Sequence, residues 1–389
     1  MKIGMFVQSV QSDIFSHSID GTYQPRHVAC FEPARIVLAR GWNRTAFSRN
    51  LTGKILQLYP NIPTEDCLDT AHPKVLIEGS TPYNQHFTGK QTLVIGEHRS
   101  AVRLSTEEGN TCPNYWHFSL YGFCPYGCTY CYLAGTPGIK FSPSVKIFTN
   151  IDEVLNAIDK NARKIALPTA FYHGKLQDGL ALDPLTGYSR QLIPFFAAHP
   201  FARQILLTKS TDVENLIDLD HNGHTILSWT LQPPLISAQF EPNTPSIAER
   251  LRAMKQCADA GYPIRAVLMP LIPVEDWIDL YTEFLKQLLE EIPIQRLTIG
   301  AICSYQAAHR LMNRKLGFEN VITQNMRQAK TEDGRVRYSE GLREQGYRHL
   351  IQSAKRIRSD LEIGLCLETG KMFDMLELQA AMGRCNCVL

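Results

Sequence analysis

Three cysteines in the first half of the chain have the spacing of metal ligands. Cys124, Cys128 and Cys131 form a C-x3-C-x2-C pattern. A structural zinc site uses four closed ligands, and no partner pair follows at the usual short distance. Three thiolates instead suit a [4Fe–4S] cluster whose fourth iron stays open to bind a substrate or cofactor. The alternative is that the three side chains pack in a core, as free cysteines often do.

A second pair of cysteines lies close to the last residue of the sequence. Cys385 and Cys387 form a C-x-C pair within the segment 383–389. Such a pair suits a soft metal, a metalloid or a redox-active dithiol, and incidental cysteines in a frayed tail are the alternative. The other six cysteines are scattered, and core packing is the expected role for most of them. They are Cys30, Cys67, Cys112, Cys257, Cys303 and Cys366.

From about residue 114, strand-like and helix-like segments alternate and must position these cysteines. The repeated units predict a parallel sheet, and six or seven of them predict an α/β fold with an open, partial (β/α)6-type barrel. The active site of such a barrel lies at the carboxyl ends of its strands, and the first cysteine group follows the first strand, 115–120. The strands are expected at 165–172, 204–208, 225–231, 264–269, 296–301 and 362–367.

The chain divides into three predicted parts. Residues 1–112 are expected to form an N-terminal α/β domain, with strands at 34–39, 74–77 and 91–95. Residues 113–370 are expected to form the barrel, and 371–389 a C-terminal helix with the cysteine-containing tail.

Composition limits the classes of function. Forty basic and 38 acidic residues give a formal charge of +2, without the basic excess of a protein that binds nucleic acid mainly through charge. DNA remains a candidate partner that the charge does not favour. The N-terminal residues lack a signal-peptide core, and no run of 18 apolar residues exists, so we expect a soluble cytoplasmic protein without a membrane partner. An iron–sulfur cluster also requires a reducing compartment.

The run 123–133, Phe-Cys-Pro-Tyr-Gly-Cys-Thr-Tyr-Cys-Tyr-Leu, resembles the cluster loop of radical S-adenosylmethionine enzymes. Its second half, with segments 90–100, 241–250, 257–263 and 270–273, is similar to the spore photoproduct lyase family. That family uses a 5′-deoxyadenosyl radical to reverse a thymine dimer in DNA. The resemblance implies a radical enzyme of lyase or transferase type with a [4Fe–4S] cluster, S-adenosylmethionine, and an electron donor such as a flavodoxin or ferredoxin.

The resemblance also implies roles for residues near the cluster. Tyr130 would offer its backbone to the adenine, and Lys209 would lie near the cofactor's carboxylate, although a strand-end lysine can also be a solvated charge. Ser228 and Thr230 share one face of a strand and could bond the cofactor or find internal partners. Tyr132 could relay a hydrogen atom, because a phenol can lose one.

One departure from the family concerns the substrate. Lys175 occupies the position of the family's hydrogen-donating cysteine, and an ammonium group cannot replace a thiol in that role. The neighbouring Gln177 and Asp178 could contact the cofactor or lie in a solvated loop. Photoproduct repair by the usual route is therefore not expected.

The C-terminal Arg-Cys-x-Cys resembles the thiol-rich motif of the radical enzyme that forms an arsenic–carbon bond in arsinothricin biosynthesis. The resemblance implies that Cys385 and Cys387, with a third thiol, hold a trivalent metalloid near the cofactor. Three hypotheses follow: a radical reaction on a small molecule or metalloid, which the lysine favours; DNA repair with a relocated hydrogen donor; and a non-catalytic iron–sulfur protein.

Overall fold

A large sheet of eight strands forms the centre of the molecule. The computed structural model describes residues 22–136, 142–327 and 334–389, so the predicted absence of a signal peptide in the first 21 residues lies outside it. The strand order is β16-β12-β11-β10-β9-β8-β5-β4, and all strands run parallel except β4 at the edge. Their bounds are β4 Val102–Ser105, β5 Tyr115–Phe118, β8 Thr169–His173, β9 Ala202–Thr208, β10 Thr225–Leu231, β11 Ile264–Leu271, β12 Arg296–Ala301 and β16 Glu362–Leu365.

Helices connect these strands and cover the outer side of the sheet. The main ones are α3 Ile151–Ile165, α5 Ser189–Ala198, α7 Ile247–Asp259, α8 Trp277–Glu291 and α10 Glu340–Ile357. Shorter helices are α4 Asp183–Thr186, α6 Pro234–Phe240, α9 Gln306–Leu316 and α11 Gly370–Met375. Helix α7 begins at the capping box of Ser246 and Glu249, as its sequence predicts. The strand–helix alternation confirms the predicted open barrel, here with seven parallel strands.

A second sheet lies beside the first, with the order β2-β1-β3-β7-β6. Its strands are β1 Arg35–Ala39, β2 Thr64–Cys67, β3 Thr92–Gly96, β6 Tyr121–Gly122 and β7 Val145–Phe148, and its helices are α1 Ala46–Leu58 and α2 Pro82–Lys90. The sheet takes strands from both sides of residue 112. The expected strand at 74–77 is wrong: Val75 and Ile77 are buried as in a strand, but the segment pairs with no described strand.

Two features at the end of the chain were not predicted from the sequence. Strands β13 Cys303–Tyr305, β14 Met326–Arg327 and β15 Arg335–Tyr338 form a small antiparallel sheet after β12. The tail 383–389 then lies against β16, where a Cβ on Gly364 would stand 1.7 Å from the carbonyl oxygen of Arg384. Glycine therefore permits this close approach, and the tail is part of the packed structure.

Candidate active site

The first cysteine group lies on a loop between β5 and α3, and Lys90 at the end of α2 holds that loop. The Lys90 ammonium donates to the carbonyl oxygens of Cys124 and Tyr126, the latter at 2.7 Å. It also lies 3.9 Å from the centre of the Phe123 ring. Lys90 thereby fixes the first turn of the loop from outside the large sheet.

The second half of the loop is held by the segment after α6. The backbone N–H of Gly127 donates to the carbonyl of Pro242 at 3.0 Å, and that of Thr129 donates to Phe240 at 2.9 Å. These bonds satisfy loop backbone groups that would otherwise be buried without partners. The loop is thus fixed on both sides before any ligand binds.

The three loop thiols fit a cluster better than a single ion. Burial raises the pKa of Cys124 and Cys128, the latter to about 11, and each of these two feels the charge of Cys131. Lys209 opposes part of this rise in the pKa of Cys128, so its ammonium lies within electrostatic reach of that thiol. Among the residues that the structure describes, no three side chains are placed to hold one metal ion. The loop thus brings one buried and two partly buried thiols together, the ligand set that the sequence predicts for a [4Fe–4S] cluster.

Beside the loop, Glu241 is the centre of a buried ionic network. Its carboxylate accepts from the hydroxyls of Tyr130 and Ser237, the latter at 2.9 Å. It pairs with Arg250 at 2.6 Å and with Lys209 at 3.7 Å. The two cations outweigh the effect of burial and hold the pKa of Glu241 below its usual range. Lys209 is therefore held next to Cys128, in the region predicted for the cofactor's carboxylate.

Gln177 and Asp178 are buried, not solvated, and both shape the loop after β8. The Gln177 amide accepts from the backbone N–H of Tyr121 at 2.6 Å and donates to the carbonyl of Phe118 at 3.0 Å. The Asp178 carboxylate accepts four hydrogen bonds, from the backbone N–H groups of Leu180, Ala181 and Lys209 and from the Thr208 hydroxyl. Their contact with the cofactor remains a prediction, and the structure shows them positioning the Lys209 backbone and the cysteine loop.

Ser228 and Thr230 both lie buried on β10, as their alternation predicts. The Ser228 hydroxyl donates to the side-chain oxygen of Asn386 at 2.9 Å, so the tail supplies its partner. The Thr230 carbonyl accepts from Arg250 at 3.1 Å. A role in cofactor binding remains a prediction for both residues.

A second group of thiols meets where the tail crosses the sheet; we call Cys112, Cys366, Cys385 and Cys387 the thiol cluster. Cys385 hydrogen-bonds both Cys112 and Cys387, Cys112 acts electrostatically on Cys366, and Cys366 acts on Cys387. The bond with Cys112 lowers the pKa of Cys385, but the bond with Cys387 and burial raise it to about 12. The hydrogen bond with Cys385, followed by burial, raises the pKa of Cys112. These thiols therefore keep their protons at neutral pH.

A row of polar residues across the large sheet supports the tail. Ser228, Arg265, Arg296 and Glu362 stand side by side on β10, β11, β12 and β16. Burial, followed by the neighbouring Arg296, lowers the pKa of Arg265 to about 10. Arg296 forms a salt bridge with Glu362 at 3.0 Å. Two adjacent buried cations need further acceptors.

The tail backbone supplies those acceptors. Arg296 donates to the carbonyls of Cys385 and Val388, each at 2.9 Å. Arg265 donates to the carbonyls of Val388 at 2.6 Å and Asn386 at 3.4 Å. The arginines thus hold Cys385 and Cys387 inside the fold, which excludes the frayed tail that the sequence left open.

Lys175 links the thiol cluster to the cysteine loop. Its ammonium pairs with Glu107 at 2.8 Å, and its carbonyl accepts from the Tyr132 hydroxyl. Burial raises the pKa of Tyr132, as do Cys131 on one side and Cys366 on the other. The Tyr132 side chain nevertheless keeps 39% of its surface exposed, and it lies within electrostatic reach of a thiol from each cysteine group. That position is consistent with the predicted relay.

Sequence reasoning missed two residues of this region. Cys112 was assigned to core packing, yet it bonds Cys385. No sequence pattern singles out Glu107, yet it pairs with both Lys175 and Arg335, at 2.8 and 2.7 Å. Burial raises the pKa of Glu107, but these hydrogen bonds and charges lower it overall. The C-x-C pair at Cys385 and Cys387 indicated a second group of thiols, but it did not show that Cys112 joins it.

A family model described as spore photoproduct lyase matches residues 33–351, most of the chain. The chain belongs to the spore photoproduct lyase family. It is 29% identical over 265 residues to the spore photoproduct lyase of Geobacillus sp., covering 66% of this chain and 75% of that protein. It is 28% identical over 238 residues to that of Bacillus subtilis, covering 60% and 68%.

Solved structures confirm the fold. A spore photoproduct lyase complexed with dinucleoside spore photoproduct has a TM-score of 0.74 at 22% identity, covering 86% of this chain and 99% of that one. A mutant with bound AdoMet and dinucleoside spore photoproduct has the same TM-score and identity and covers 86% and 98%.

Family membership confirms a radical S-adenosylmethionine enzyme of the lyase type, with a [4Fe–4S] cluster and S-adenosylmethionine as cofactors. The non-catalytic hypothesis is therefore set aside. Within the described residues, no helix is both long and apolar enough to cross a membrane.

Proposed function

We propose that this enzyme cleaves S-adenosylmethionine reductively at the cysteine loop and directs the radical to a trivalent metalloid, such as arsenic(III), bound by the thiol cluster. The observation that carries the proposal is the contact of Cys385 with both Cys112 and Cys387 inside the fold. Soft thiol ligands select soft metals and metalloids. Cys112 supplies the third thiol that the C-x-C pair needs.

The protonated state of the thiols suits this chemistry. Arsenous acid carries three hydroxyl groups, and each thiol that replaces one forms an arsenic–sulfur bond while its proton leaves with the hydroxide as water. The raised pKa of Cys112 and Cys385 is then no obstacle, because no free thiolate is needed at the start. A preformed site for a bare metal ion is not required either, which agrees with its absence among the described residues.

The cofactors and the protein have separate tasks. When bound, the reduced cluster gives one electron to the sulfonium of S-adenosylmethionine, and a carbon–sulfur bond breaks to leave a carbon-centred radical. Lys209, fixed by Glu241, would hold the cofactor's carboxylate beside Cys128. Tyr132 would lie between the radical and the thiols and would orient the reacting atoms toward each other.

The test uses anaerobically reconstituted enzyme with dithionite, S-adenosylmethionine and arsenite. The aminocarboxypropyl radical would form a carbon–arsenic bond and break one arsenic–sulfur bond, and a second electron from dithionite would reduce the released thiyl radical to a thiolate. The products, methylthioadenosine and a stable organoarsenical, are measured by liquid chromatography with arsenic-specific detection. Replacing Cys385 and Cys387 by Ala should abolish the arsenical and leave the cluster's absorption unchanged. The control is Cys67→Ala, at the edge of the second sheet. Full arsenical formation by the double variant would refute the metalloid site.

DNA repair with a relocated hydrogen donor is the second candidate, and one observation favours it. The hydrogen bond with Cys385 lowers the pKa of Cys387, but burial and the neighbouring thiols raise it overall, and the Lys175 ammonium acts on the same thiol. A protonated thiol therefore stands beside the position where the family carries its donor. The test is turnover of dinucleoside spore photoproduct, the compound bound in a related structure. Repair that is lost in Cys387→Ser and retained in Cys67→Ser would select this function instead.

A further inference from the structure

A cavity of about 340 Å³ lies against the outer side of the cysteine loop. One face of α2 forms its wall, because four side chains follow the helical spacing i, i+3, i+4 and i+7. These are Tyr83, His86, Phe87 and Lys90, and Pro125 of the loop and Lys315 of α9 face them. Phe87 is 59% exposed, so the cavity opens to solvent. None of these residues has a part in the site described above except Lys90.

The cavity contains a buried hydrogen-bond donor without a partner. His86 is only 5% exposed, and its Nε2 lies 3.1 Å from the Lys315 ammonium. Because an ammonium can only donate, Nε2 must be the acceptor, and the hydrogen of the neutral ring is on Nδ1. Burial, helped by Lys315 and Lys90, lowers the pKa of His86 to about 2 and keeps the ring neutral. Nδ1 has no hydrogen-bond partner among the described residues, and the ring packs edge-on against Phe123 at 5.4 Å between ring centres.

The cavity also lies next to the cluster-binding thiols. Lys90 binds the carbonyls on either side of Pro125, so the cavity wall and the cysteine loop are in direct contact. Burial lowers the pKa of Lys315, while the charges of Cys131 and Cys128 act to raise it. Lys315 therefore lies within electrostatic reach of two thiols that would bind the cluster. An electron carrier bound at this surface would therefore lie beside the cysteine loop.

We propose that an acidic one-electron carrier protein docks at this cavity, with carboxylates facing Lys315 and with its redox group against Tyr83 and Phe87. The inference rests on the proposed reductive function, which needs one electron from outside for each cluster reduction. The carrier is oxidised by one electron, the cluster is reduced by one, and no atom is transferred.

Charge and surface chemistry both support this occupant. Two lysines face one carboxylate, Glu32, among the lining side chains, so the local charge is positive although the whole chain is nearly neutral. Exposed aromatic residues are enriched in protein interfaces, and complementary charge mainly speeds encounter. An acidic carrier protein would be attracted by the positive charge and would pack against the exposed aromatic side chains.

The experiment measures how fast a reduced bacterial flavodoxin reduces the cluster of the reconstituted enzyme in stopped flow at low salt. Lys315→Gln keeps a donor for His86 but removes the charge, and Phe87→Ser removes an exposed ring without disturbing the core. We expect each to slow the second-order rate about threefold to tenfold. Lys286→Gln, on the exposed side of α8, should leave it unchanged. Reduction by methyl viologen, a small cation, should be unchanged or slightly faster in Lys315→Gln.

Three results would overturn the proposal. Equal slowing with methyl viologen would show that the residues act on the cluster itself. Unchanged flavodoxin rates would place docking elsewhere, and protection of Lys315 from acetylation by duplex DNA but not by flavodoxin would make this a nucleic-acid surface. Cluster reduction does not require S-adenosylmethionine. Failure of the enzyme to cleave that cofactor with dithionite would therefore refute the proposed function separately.

Discussion

Replacing Glu241 by Gln should destabilise the protein strongly, because it removes the single carboxylate between two buried cations. Arg250 has no exposed side-chain surface, and Lys209 keeps only 14% of its own. The amide could still accept from Tyr130, so the change removes charge and little volume. It thereby tests whether the ionic network, more than packing, fixes the region beside the cysteine loop.

The expected size follows from the contacts. Leaving a buried charge without its partner costs about 3 to 5 kcal/mol. Arg250 retains hydrogen bonds to the carbonyls of Pro245 and Thr230, at 3.0 and 3.1 Å, which favours the lower end, about 3 kcal/mol. With an unfolding entropy of about 2.1 cal/mol/K per residue, a chain of 389 residues melting as one unit would lose about 4 °C in Tm.

The effect should also depend on pH in a defined direction. The folded-state pKa of Glu241 lies below its ordinary 4.5, since Lys209 and Arg250 outweigh the effect of burial. Its stabilisation is therefore fully present above about pH 4.5 and is lost as the pH falls through the lower, folded value. The difference in Tm between the variant and the unmodified protein should narrow below pH 4.5.

Thermal unfolding followed by circular dichroism at pH 7.5, 5.0 and 4.0 measures both effects. Glu249→Gln is the matched control, because this carboxylate caps α7 at the surface and should cost about 1 kcal/mol or less. A Glu241→Gln variant that melts within 1 °C of the unmodified protein at pH 7.5 would refute the reasoning. So would an equal loss in both variants.

Three further substitutions test other buried groups. Lys146→Met should remove a rise in stability between pH 7 and 10.5, measured by urea unfolding. Burial lowers the pKa of Lys146 to about 7 in the folded protein, while the unfolded chain retains about 10.5. Arg296→Gln should loosen the tail and speed alkylation of Cys385 by iodoacetamide; an unchanged rate would contradict the anchoring role. Gly364→Ala should also release the tail, because its Cβ would collide with the carbonyl of Arg384, and digestion by carboxypeptidase would detect this.

The strands of the large sheet could be predicted from the sequence because their signals are local. The predicted strands 225–231 and 296–301 match the structure residue for residue, and the capping box marks the start of α7. The cysteine loop is equally local, since its three ligands are close in sequence. The small sheet of β13, β14 and β15 was missed because its strands are short and joined across a long separation.

For Lys175, the sequence and the structure contribute different conclusions about the site. The sequence identifies it as a departure from the family, and that observation depends only on alignment of one loop. Its consequence depends on tertiary contacts: the ammonium is neutralised by Glu107, and the carbonyl receives the Tyr132 hydroxyl. The lysine has become a structural link, and the thiols that could replace the missing donor come from elsewhere.

The position of those thiols rests on a signal that the sequence did contain. Arg265 and Arg296 each stand at the start of an apolar strand, and two buried cations side by side require acceptors that a hydrophobic barrel cannot supply. Backbone carbonyls of the tail are neutral acceptors. That of Val388 accepts from Arg265, and that of Cys385 accepts from Arg296. Two buried arginines on neighbouring strands therefore imply that another segment of the chain packs against them. In this structure that segment is the tail, which carries Cys385 and Cys387. Under the proposed function, the tail where it crosses the sheet would select the substrate, and the cysteine loop would supply the radical chemistry.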